Sequence, residues 1–266
     1  MNPNPNIILL DMDGTIIGDV LQFICEWEVL RNFDRVKLKF FKQNLKSALE
    51  NGLLRKGFSD FMSIAQKNGI EVFLYTASDK EWTNVIIPII ESITRYKFNR
   101  PLFTRNHCVF QDNEILKSIA KVYQPIQNSL RSKYSTLTKK VILENSILID
   151  NNRVLVSDEK HRLFYVPTYK YTHQYDVLKH LDDTILRTKY IEICHILQRH
   201  KTCLFNISKM GFNEFLSNYY INLGHKLGRP RHDRMNDTLF YDLLVPMMEN
   251  KGFTNKFVKY LNNLKS

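Results

Sequence analysis

Two aspartates, Asp11 and Asp13, stand two residues apart in the segment DMDGT, directly after the apolar run IILL. Such a run is typical of a buried parallel strand whose carboxyl end opens into a functional loop. Two carboxylates at this position can share one cation. One of them can attack phosphorus while its neighbour transfers protons, which divides a hard hydrolysis into two easier steps. The alternative is a capped turn with solvated acids, because Asp and Gly are common turn residues.

Further polar residues could bind a phosphoryl group. Gly14 permits a tight turn after the aspartates, and Thr15 adds a hydroxyl. Thr76 ends the apolar run EVFLY, where a hydroxyl and exposed backbone N–H groups could hold a phosphate oxygen. Ser78, two residues later, is interpreted as the N-cap of the next helix. Lys117 could neutralise phosphate charge, although a solvated position is the alternative for any single lysine in this chain.

A third apolar run, SILID, ends in Asp150 and is followed by Asn151. Magnesium prefers carboxylate and carbonyl oxygens together with retained waters. Asp11, the main-chain carbonyl of Asp13, and Asp150 could supply these ligands. The sequence therefore predicts Mg²⁺ as the cofactor.

Apolar strand-like runs alternate with amphipathic helical segments up to about residue 183, and strand patterns are absent beyond it. This alternation predicts an α/β three-layer, Rossmann-like fold with a central parallel sheet, in which ligands bind beyond the carboxyl ends of the strands. We expect an α/β core over residues 1–183, a small helical insert or cap over 18–52, and a helical C-terminal extension over 184–266. Pro88 is expected to kink or break its helix, and Lys117 to begin one.

The order DxDGT, Thr/Ser, Lys, Asp, with each motif at a strand end or helix start, resembles the haloacid dehalogenase superfamily. The segments FLYTASDKEWTNVIIPIIE, PLFTRNHCVFQDNEILKSIAKV, ILIDNN and LFYVPTYKY narrow the resemblance. Over about residues 5–182 the chain is similar to the FCP/SCP-like, or NLI-interacting-factor-like, phosphatases, which act on the C-terminal domain of RNA polymerase II.

This resemblance implies a role for each matching residue. Asp11 would be the nucleophile, and Asp13 would protonate the leaving group and later activate water. Asp11, Asp13 and Asp150 would bind magnesium. Asn151 would contact these ligands rather than the metal. The phosphoryl group would be bound by Thr76, Lys117, Thr15 and Gly14. Arg105 is a candidate contact for a phosphopeptide.

The chain departs from the FCP/SCP-like pattern in two places. Gly14-Thr15 replaces the usual Glu-Thr, and the insert over 18–52 has a helical pattern where that family has a largely β insert. Helical inserts at this point can act as caps that favour small substrates. The predicted function is a magnesium-dependent phosphatase that forms an aspartyl-phosphate and acts on phosphoserine or phosphothreonine of a protein. The alternatives are a phosphatase for a small metabolite, nucleotide or nucleic-acid 3′-phosphate, and a catalytically silent binding protein.

The bulk composition narrows the partners and the location. The formal net charge is +11 and the pI is about 9.4, which favours phosphorylated partners and leaves nucleic acid possible. The four cysteines form no CxxC motif, and this fits a reducing compartment. The N-terminus has no basic leader, and no apolar stretch approaches membrane-spanning length. We expect an intracellular soluble protein without membrane contact, in cytoplasm or nucleus, or a viral protein in a host cell.

Three further features have an ordinary interpretation and a functional one. The cluster CHILQRHKTC could bind zinc, but Cys194 and His195 would face different ways on a helix, so Cys194 is interpreted as a core residue. The basic segment 228–234, GRPRHDR, could contact phosphate or nucleic acid, and a linker between helices is the simpler interpretation. Four aromatic residues at helical spacing are interpreted as core rather than as a stacking platform: Phe212, Phe215, Tyr219 and Tyr220.

Overall fold

The structure, a computed structural model, describes residues 4–171, 176–200, 210–227 and 237–248. The chain divides into two units. The sheet unit comprises Met1–Gly18, Leu54–Lys170 and Arg234–Ser266, and the helical unit comprises Asp19–Leu53 and Tyr171–Asp233.

Five parallel strands form the centre of the sheet unit: β1 Ile7–Leu10, β2 Glu71–Tyr75, β3 Asn99–Phe103, β6 Ser146–Asp150 and β7 Leu163–Tyr165. Their order in the sheet is β3-β2-β1-β6-β7. The three central strands are buried along their whole length, and this explains why they appear in the sequence as continuous apolar runs. The α/β fold with a central parallel sheet is thereby confirmed.

The order of the strands reverses direction at β1. The chain proceeds from β1 to β2 and β3 on one side, and β6 and β7 lie on the other. Leu10 is in register with Leu74 of β2 and with Ile149 of β6. The residues that follow these three positions therefore emerge together at the carboxyl edge, where parallel sheets bind their ligands.

Helices and one hairpin complete the described part of the sheet unit. The helices are α3 Phe58–Lys67, α4 Lys80–Thr94, α5 Ile119–Leu130, α6 Lys139–Glu144 and α9 Leu239–Met248. The antiparallel hairpin pairs β4 Val109–Gln111 with β5 Glu114–Leu116.

The structure corrects two local predictions about these elements. Pro88 does not break its helix, because it lies inside α4, which continues from residue 80 to residue 94; a kink at this residue stays a prediction. Pro88 is exposed, so water can reach the backbone at the position of the lost hydrogen bond, while buried Ile86, Ile87 and Ile90 hold the helix on the sheet. Lys117 does not begin a helix, because β5 ends at the preceding residue and Ser118 is the N-cap of α5.

The helical unit contains the helices predicted for the insert and two from the C-terminal part of the chain. They are α1 Leu21–Phe33, α2 Leu38–Ala48, α7 Asp183–Arg199 and α8 Phe212–Leu227. The carboxylate of Glu28 on α1 lies 2.5 Å from Nη1 of Arg199 and 2.6 Å from Nε2 of His200, so an ion pair with Arg199 and a hydrogen-bond contact with His200 join α1 to the end of α7. The C-terminal helices are thus shared between the units, with α9 in the sheet unit. The domain boundary at residue 184 stays a prediction.

Cys194 is buried in α7 and His195 is exposed. Within the described residues no group of three His, Cys, Asp or Glu side chains could hold a metal ion. Phe215 and Tyr219 are buried as expected, whereas Tyr220 is 48% exposed. Cys203 and the segment 228–234 lie outside the described residues. No described helix is both long and apolar enough to cross a bilayer.

Candidate active site

The ammonium group of Lys117 lies between two aspartates at the carboxyl edge of the sheet. Its Nζ is 2.6 Å from Oδ1 of Asp11, after β1, and 2.6 Å from Oδ2 of Asp150, at the end of β6. The side chain of Lys117 is 2% exposed. Burial by itself lowers the pKa of this amine, but the charges of Asp11 and Asp150 more than offset that effect. The pKa of Lys117 is therefore raised, and the amine is charged at neutral pH.

The main chain of Lys117 is held by the loop that follows β6. Its N–H donates to the carbonyl of Val154 at 2.6 Å, and its carbonyl accepts from the N–H of Val156 at 3.1 Å. The helix that follows is held as well, because the carboxylate of Glu159 accepts from the N–H groups of Ile119 at 2.6 Å and Ala120 at 2.9 Å. A carboxylate at a helix N-terminus satisfies free N–H groups and complements the helix dipole. Sequence reasoning missed Glu159, which no local pattern distinguishes.

Thr15 joins the loop after β1 to the loop after β6. Its Oγ1 lies 3.1 Å from Oδ2 of Asp11 and 3.1 Å from Oδ1 of Asn151, and it accepts from the N–H of Asn151 at 3.2 Å. Thr15 is wholly buried. The hydroxyl is thus placed to orient the Asp11 carboxylate from the protein interior.

Gly14 occupies a position that only glycine fits. Its φ of 76° is in the left-handed region. A Cβ atom here would lie 2.6 Å from Nδ2 of Asn151 and 3.1 Å from Cγ2 of Thr168, which are themselves hydrogen-bonded neighbours. Its carbonyl accepts from the N–H of Tyr169 at 2.7 Å. Close packing against Asn151 and Thr168 therefore explains the Gly-Thr form of the motif in this chain.

Asp13 is held by the two hydroxyls of the loop after β2. Its Oδ2 accepts from Ser78 at 2.5 Å and from Thr76 at 3.3 Å. Its buried Oδ1 has no hydrogen-bond partner among the described residues. Burial, and then the charge of Asp11, raise the pKa of Asp13 to about 6. A carboxyl group that titrates near neutral pH can both donate and accept a proton.

Ser78 is a site residue that sequence reasoning interpreted differently. The N-cap of α4 is Asp79, not Ser78, and the Ser78 hydroxyl points to Asp13 instead. The Thr76 hydroxyl accepts from the N–H of Ser78 at 3.1 Å, which shapes the turn that brings both hydroxyls to one side. The spacing of two residues between them was the available signal.

Carboxylate oxygens suited to a divalent cation are present at this edge. Asp11 and Asp150 already share one cationic group, the Lys117 ammonium. Burial and the charge of Asp11 raise the pKa of Asp150 to about 6, although Lys117 opposes this effect. The described residues offer no cage of three metal-binding side chains, but Mg²⁺ is commonly held by one or two carboxylates with waters and substrate phosphate. The carboxylates of Asp11 and Asp150, together with the main-chain carbonyl of Asp13, are a donor set that fits such an ion.

Arg105 lies beside the loop that carries Thr76 and Ser78. Its Nε donates to the carbonyl of Ala77 at 2.8 Å, and its backbone N–H donates to the carbonyl of Ser78 at 3.0 Å. Its side chain is 46% exposed and pairs loosely with Asp79 at 3.6 Å. The structure thus brings an accessible cation to the rim of this loop.

Comparison with known protein families identifies the family to which the chain belongs. Residues 6–198 match the model of the NLI interacting factor-like phosphatase family. The chain belongs to this family. All eight residues to which a site role was assigned lie within the matched segment: Asp11, Asp13, Gly14, Thr15, Thr76, Lys117, Asp150 and Asn151.

Two solved structures share a distant likeness with this family member. One is described as the fission yeast RNA polymerase II CTD phosphatase Fcp1-R271A bound to beryllium fluoride, with 12% identity and a TM-score of 0.45. The other is described as Fcp1, an essential RNA polymerase II CTD phosphatase, with 14% identity and a TM-score of 0.43. In each case 92% of this chain is covered, but the chain spans only 62% of the matched structure. No curated protein sequence matches.

Proposed function

We propose that this chain is a magnesium-dependent phosphatase that works through an aspartyl-phosphate on Asp11. The contact of the buried Lys117 ammonium with both Asp11 and Asp150 carries the proposal. A buried cation between two carboxylates costs desolvation energy on all three groups. Such an arrangement is expected where negative charge develops during a reaction. Fixed charges in a low-dielectric site stabilise that developing charge strongly.

The first step transfers the phosphoryl group to the protein. A carboxylate oxygen of Asp11 forms a bond to phosphorus while the bond from phosphorus to the leaving oxygen breaks. The proton on Asp13 goes to that leaving oxygen, which departs as an alcohol. Lys117 and the Thr76 hydroxyl bind the phosphoryl oxygens, and Thr15 keeps Asp11 oriented for attack.

The second step returns Asp11 to its free form. Asp13, now a carboxylate, takes a proton from a water molecule, and the resulting oxygen nucleophile attacks phosphorus. The bond between phosphorus and Asp11 breaks, and inorganic phosphate leaves. A carboxyl group with a pKa of about 6 is suited to both steps, since it gains and loses a proton readily at neutral pH.

Magnesium would be held by the carboxylates of Asp11 and Asp150 and by the main-chain carbonyl of Asp13. When bound, it supplies positive charge that offsets the charge of the transferring phosphoryl group. Asn151 supports this set, because it hydrogen-bonds with Thr15 and Thr168 rather than facing the reacting group.

The proposed substrate class is phosphoserine or phosphothreonine in a protein. Family membership and the accessible Arg105 at the rim of the site support it, since guanidinium groups bind phosphate and carboxylate groups of peptides in a fixed geometry. A small phosphorylated metabolite, a nucleotide or a nucleic-acid 3′-phosphate is the second candidate. It is favoured by the helical structure of the insert over α1 and α2.

The decisive experiment is hydrolysis of an aryl phosphate by wild type and Asp11→Asn, with magnesium and with a chelator. We expect turnover that needs magnesium and that the variant loses. Asp60→Asn, at an exposed position on α3, serves as the control and should retain activity. A folded wild type that neither turns over an aryl phosphate nor binds beryllium fluoride with magnesium would refute the proposal in favour of a silent binding protein.

Substrate choice is tested by comparing a phosphoserine peptide, a nucleotide and a 3′-phosphorylated DNA end. Arg105→Ala should raise KM for the phosphopeptide by a larger factor than it changes the rate on the aryl phosphate, because removal of a contact to the rest of the substrate affects binding of the peptide alone. An equal effect on both substrates would instead report the lost bond to the carbonyl of Ala77. A preference for the nucleotide or DNA end, unaffected by Arg105→Ala, would establish the second candidate.

A further inference from the structure

Arg55 connects three segments of the sheet unit through one buried guanidinium, whose side chain is 3% exposed. Its Nε donates to both carboxylate oxygens of Asp237, at 3.0 and 2.9 Å. Its Nη1 donates to the carbonyl of Thr15 at 3.1 Å and to the carbonyl of Pro167 at 3.1 Å. One side chain therefore ties the DMDGT loop and the loop after β7 to the start of α9.

The backbone around Arg55 is attached to the same DMDGT loop. The N–H of Arg55 donates to the carbonyl of Ile16 at 2.9 Å, and Leu54 forms an antiparallel bridge with Ile17. The guanidinium also lies 5.3 Å from the centre of the Tyr169 ring, and Tyr169 donates its N–H to the carbonyl of Gly14. Arg55 thus contacts the DMDGT loop directly and also through Tyr169.

A movement of the DMDGT loop would displace the carboxylate of Asp11, the proposed nucleophile. The carbonyl of Thr15 accepts from Arg55, while the hydroxyl of the same residue lies 3.1 Å from Oδ2 of Asp11. A shift of the Thr15 main chain therefore moves the group that orients the attacking carboxylate. Misplacement of a reacting group by about 1 Å can cost about 100-fold in rate.

Asp237 is itself fixed by the packing of α9. Its Oδ1 accepts from the N–H of Leu239 at 3.3 Å, at the first residue of that helix. Phe240 is fully buried, and its ring lies 5.2 Å from that of Phe58 and 5.1 Å from that of Phe61 on α3. A Cβ atom at Gly57 would be only 3.1 Å from the Tyr241 ring, so α9 sits directly against the backbone before α3.

We propose that Arg55 is a positioning residue for Asp11 and that Asp237 holds Arg55 in this role. Without the carboxylate, the guanidinium would be a buried charge lacking its partner, and it would turn away or draw in water. Asp237 lies beyond the family match, which ends at residue 198. The C-terminal segment of the chain therefore supports the geometry of the catalytic loop. The rate measurement below depends on the proposed phosphatase function, whereas the exchange measurement does not.

The test uses the full chain with Asp237→Asn, which keeps the shape and removes the charge. Two quantities are measured: kcat and KM for an aryl phosphate with saturating magnesium, and amide hydrogen exchange of the peptide covering residues 11–18. That peptide contains the hydrogen-bonded N–H groups of Gly14, Thr15, Ile16 and Ile17. We expect kcat to fall about 10- to 100-fold with KM within about twofold, and exchange in this peptide to become faster.

Two further variants make the comparison specific. Asp237→Glu keeps the charge and should restore part of the rate and of the protection. Asp242→Asn changes an exposed carboxylate of the same helix, which bonds Thr238, and should leave both quantities at wild-type values. A matching loss in Asp242→Asn would overturn the inference, because any disturbance of α9 would then be enough.

The outcomes separate a positioning role from simple stabilisation. A lower melting temperature with unchanged kcat and unchanged exchange over residues 11–18 would show that the pair is only structural. If Asp237→Asn does not fold, Arg55→Lys decides, since one ammonium cannot span three acceptors; wild-type kcat and exchange in that variant would overturn the inference. A wild type that neither turns over an aryl phosphate nor binds beryllium fluoride with magnesium would refute the proposed function, and the exchange of residues 11–18 would still decide whether Arg55 and Asp237 hold this loop in place.

Discussion

The hydroxyl of Ser78 lies 2.5 Å from Oδ2 of Asp13, so the loop after β2 is bonded directly to the loop after β1. This hydrogen bond favours the charged carboxylate and lowers the pKa of Asp13, against the larger effects of burial and of the Asp11 charge. The resulting pKa of about 6 is thus a balance to which both loops contribute.

Removal of that hydroxyl should change the pH dependence of the reaction. With an aryl phosphate the leaving group is good, so the second step, in which Asp13 must be a carboxylate, limits the rate. Ser78→Ala removes a bond to the carboxylate and raises the pKa of Asp13, so the acidic limb of the kcat profile should move up by about 0.5–1 pH unit. Ser92→Ala on α4 is the control. If the acidic limb of the kcat profile does not move in Ser78→Ala, the group that titrates in this limb is not Asp13.

Asp13 should also make the metal-free protein less stable as pH rises. Its pKa is about 6 in the folded state and about 3.9 in an unfolded chain, so the unfolded state releases the proton first. The stabilisation is full below about pH 4 and is lost as pH rises to about 6. At pH 7.5, Asp13→Asn should therefore be more stable than wild type by about 1–3 kcal/mol.

Chemical denaturation in a chelator at several pH values tests this expectation. The difference between Asp13→Asn and wild type should vanish near pH 4, and the exposed Asp158→Asn should show no such trend. Equal stabilities at pH 7.5 would contradict an Asp13 carboxyl group that resists ionisation.

Loss of the central cation should damage both folding and chemistry. Lys117→Met leaves Asp11 and Asp150 buried and facing one another without their shared partner. We expect a loss of about 3–5 kcal/mol in the free energy of unfolding without metal, and a fall in kcat of about 100-fold or more. Thermal unfolding and aryl phosphate hydrolysis measure these effects, with Lys67→Met at an exposed position as the control. Magnesium should restore part of the stability, and no response to magnesium would argue against a cation site at these carboxylates.

Gly14 offers a matched pair of substitutions that separates backbone strain from steric collision. Gly14 and Gly69 have similar φ values, 76° and 66°, but a Cβ at Gly69 would meet nothing within 4 Å. Gly69→Ala should cost about 1–2 kcal/mol, the price of a left-handed conformation alone. Gly14→Ala should cost more and should abolish activity, because it displaces Asn151. If chemical denaturation gives equal losses of unfolding free energy for the two variants, displacement of Asn151 costs no stability.

The sequence predicted the positions at which the chemistry would meet. Apolar runs before Asp11, Thr76 and Asp150 predict buried parallel strands, and such strands bring their carboxyl ends to one edge. The register of β1 with β2 and β6 fulfils this expectation. The expected effect of proline was less reliable at Pro88, where packing of an isoleucine face keeps the helix continuous despite one lost hydrogen bond.

Tertiary packing decided which of several residues of the same type take part in the site. Lys117 is one of many lysines in the sequence, and only the fold brings it against Asp11, 106 residues away. The same holds for Arg55 with Asp237, for Glu159 at the start of α5, and for Ser78 on Asp13. Strand runs and short motifs are set by neighbouring residues, so the sequence alone determined the sheet and the edge where the site lies. Burial and long-range partners depend on how the elements pack, so only the tertiary structure determined the charge balance and the supports of Asp11.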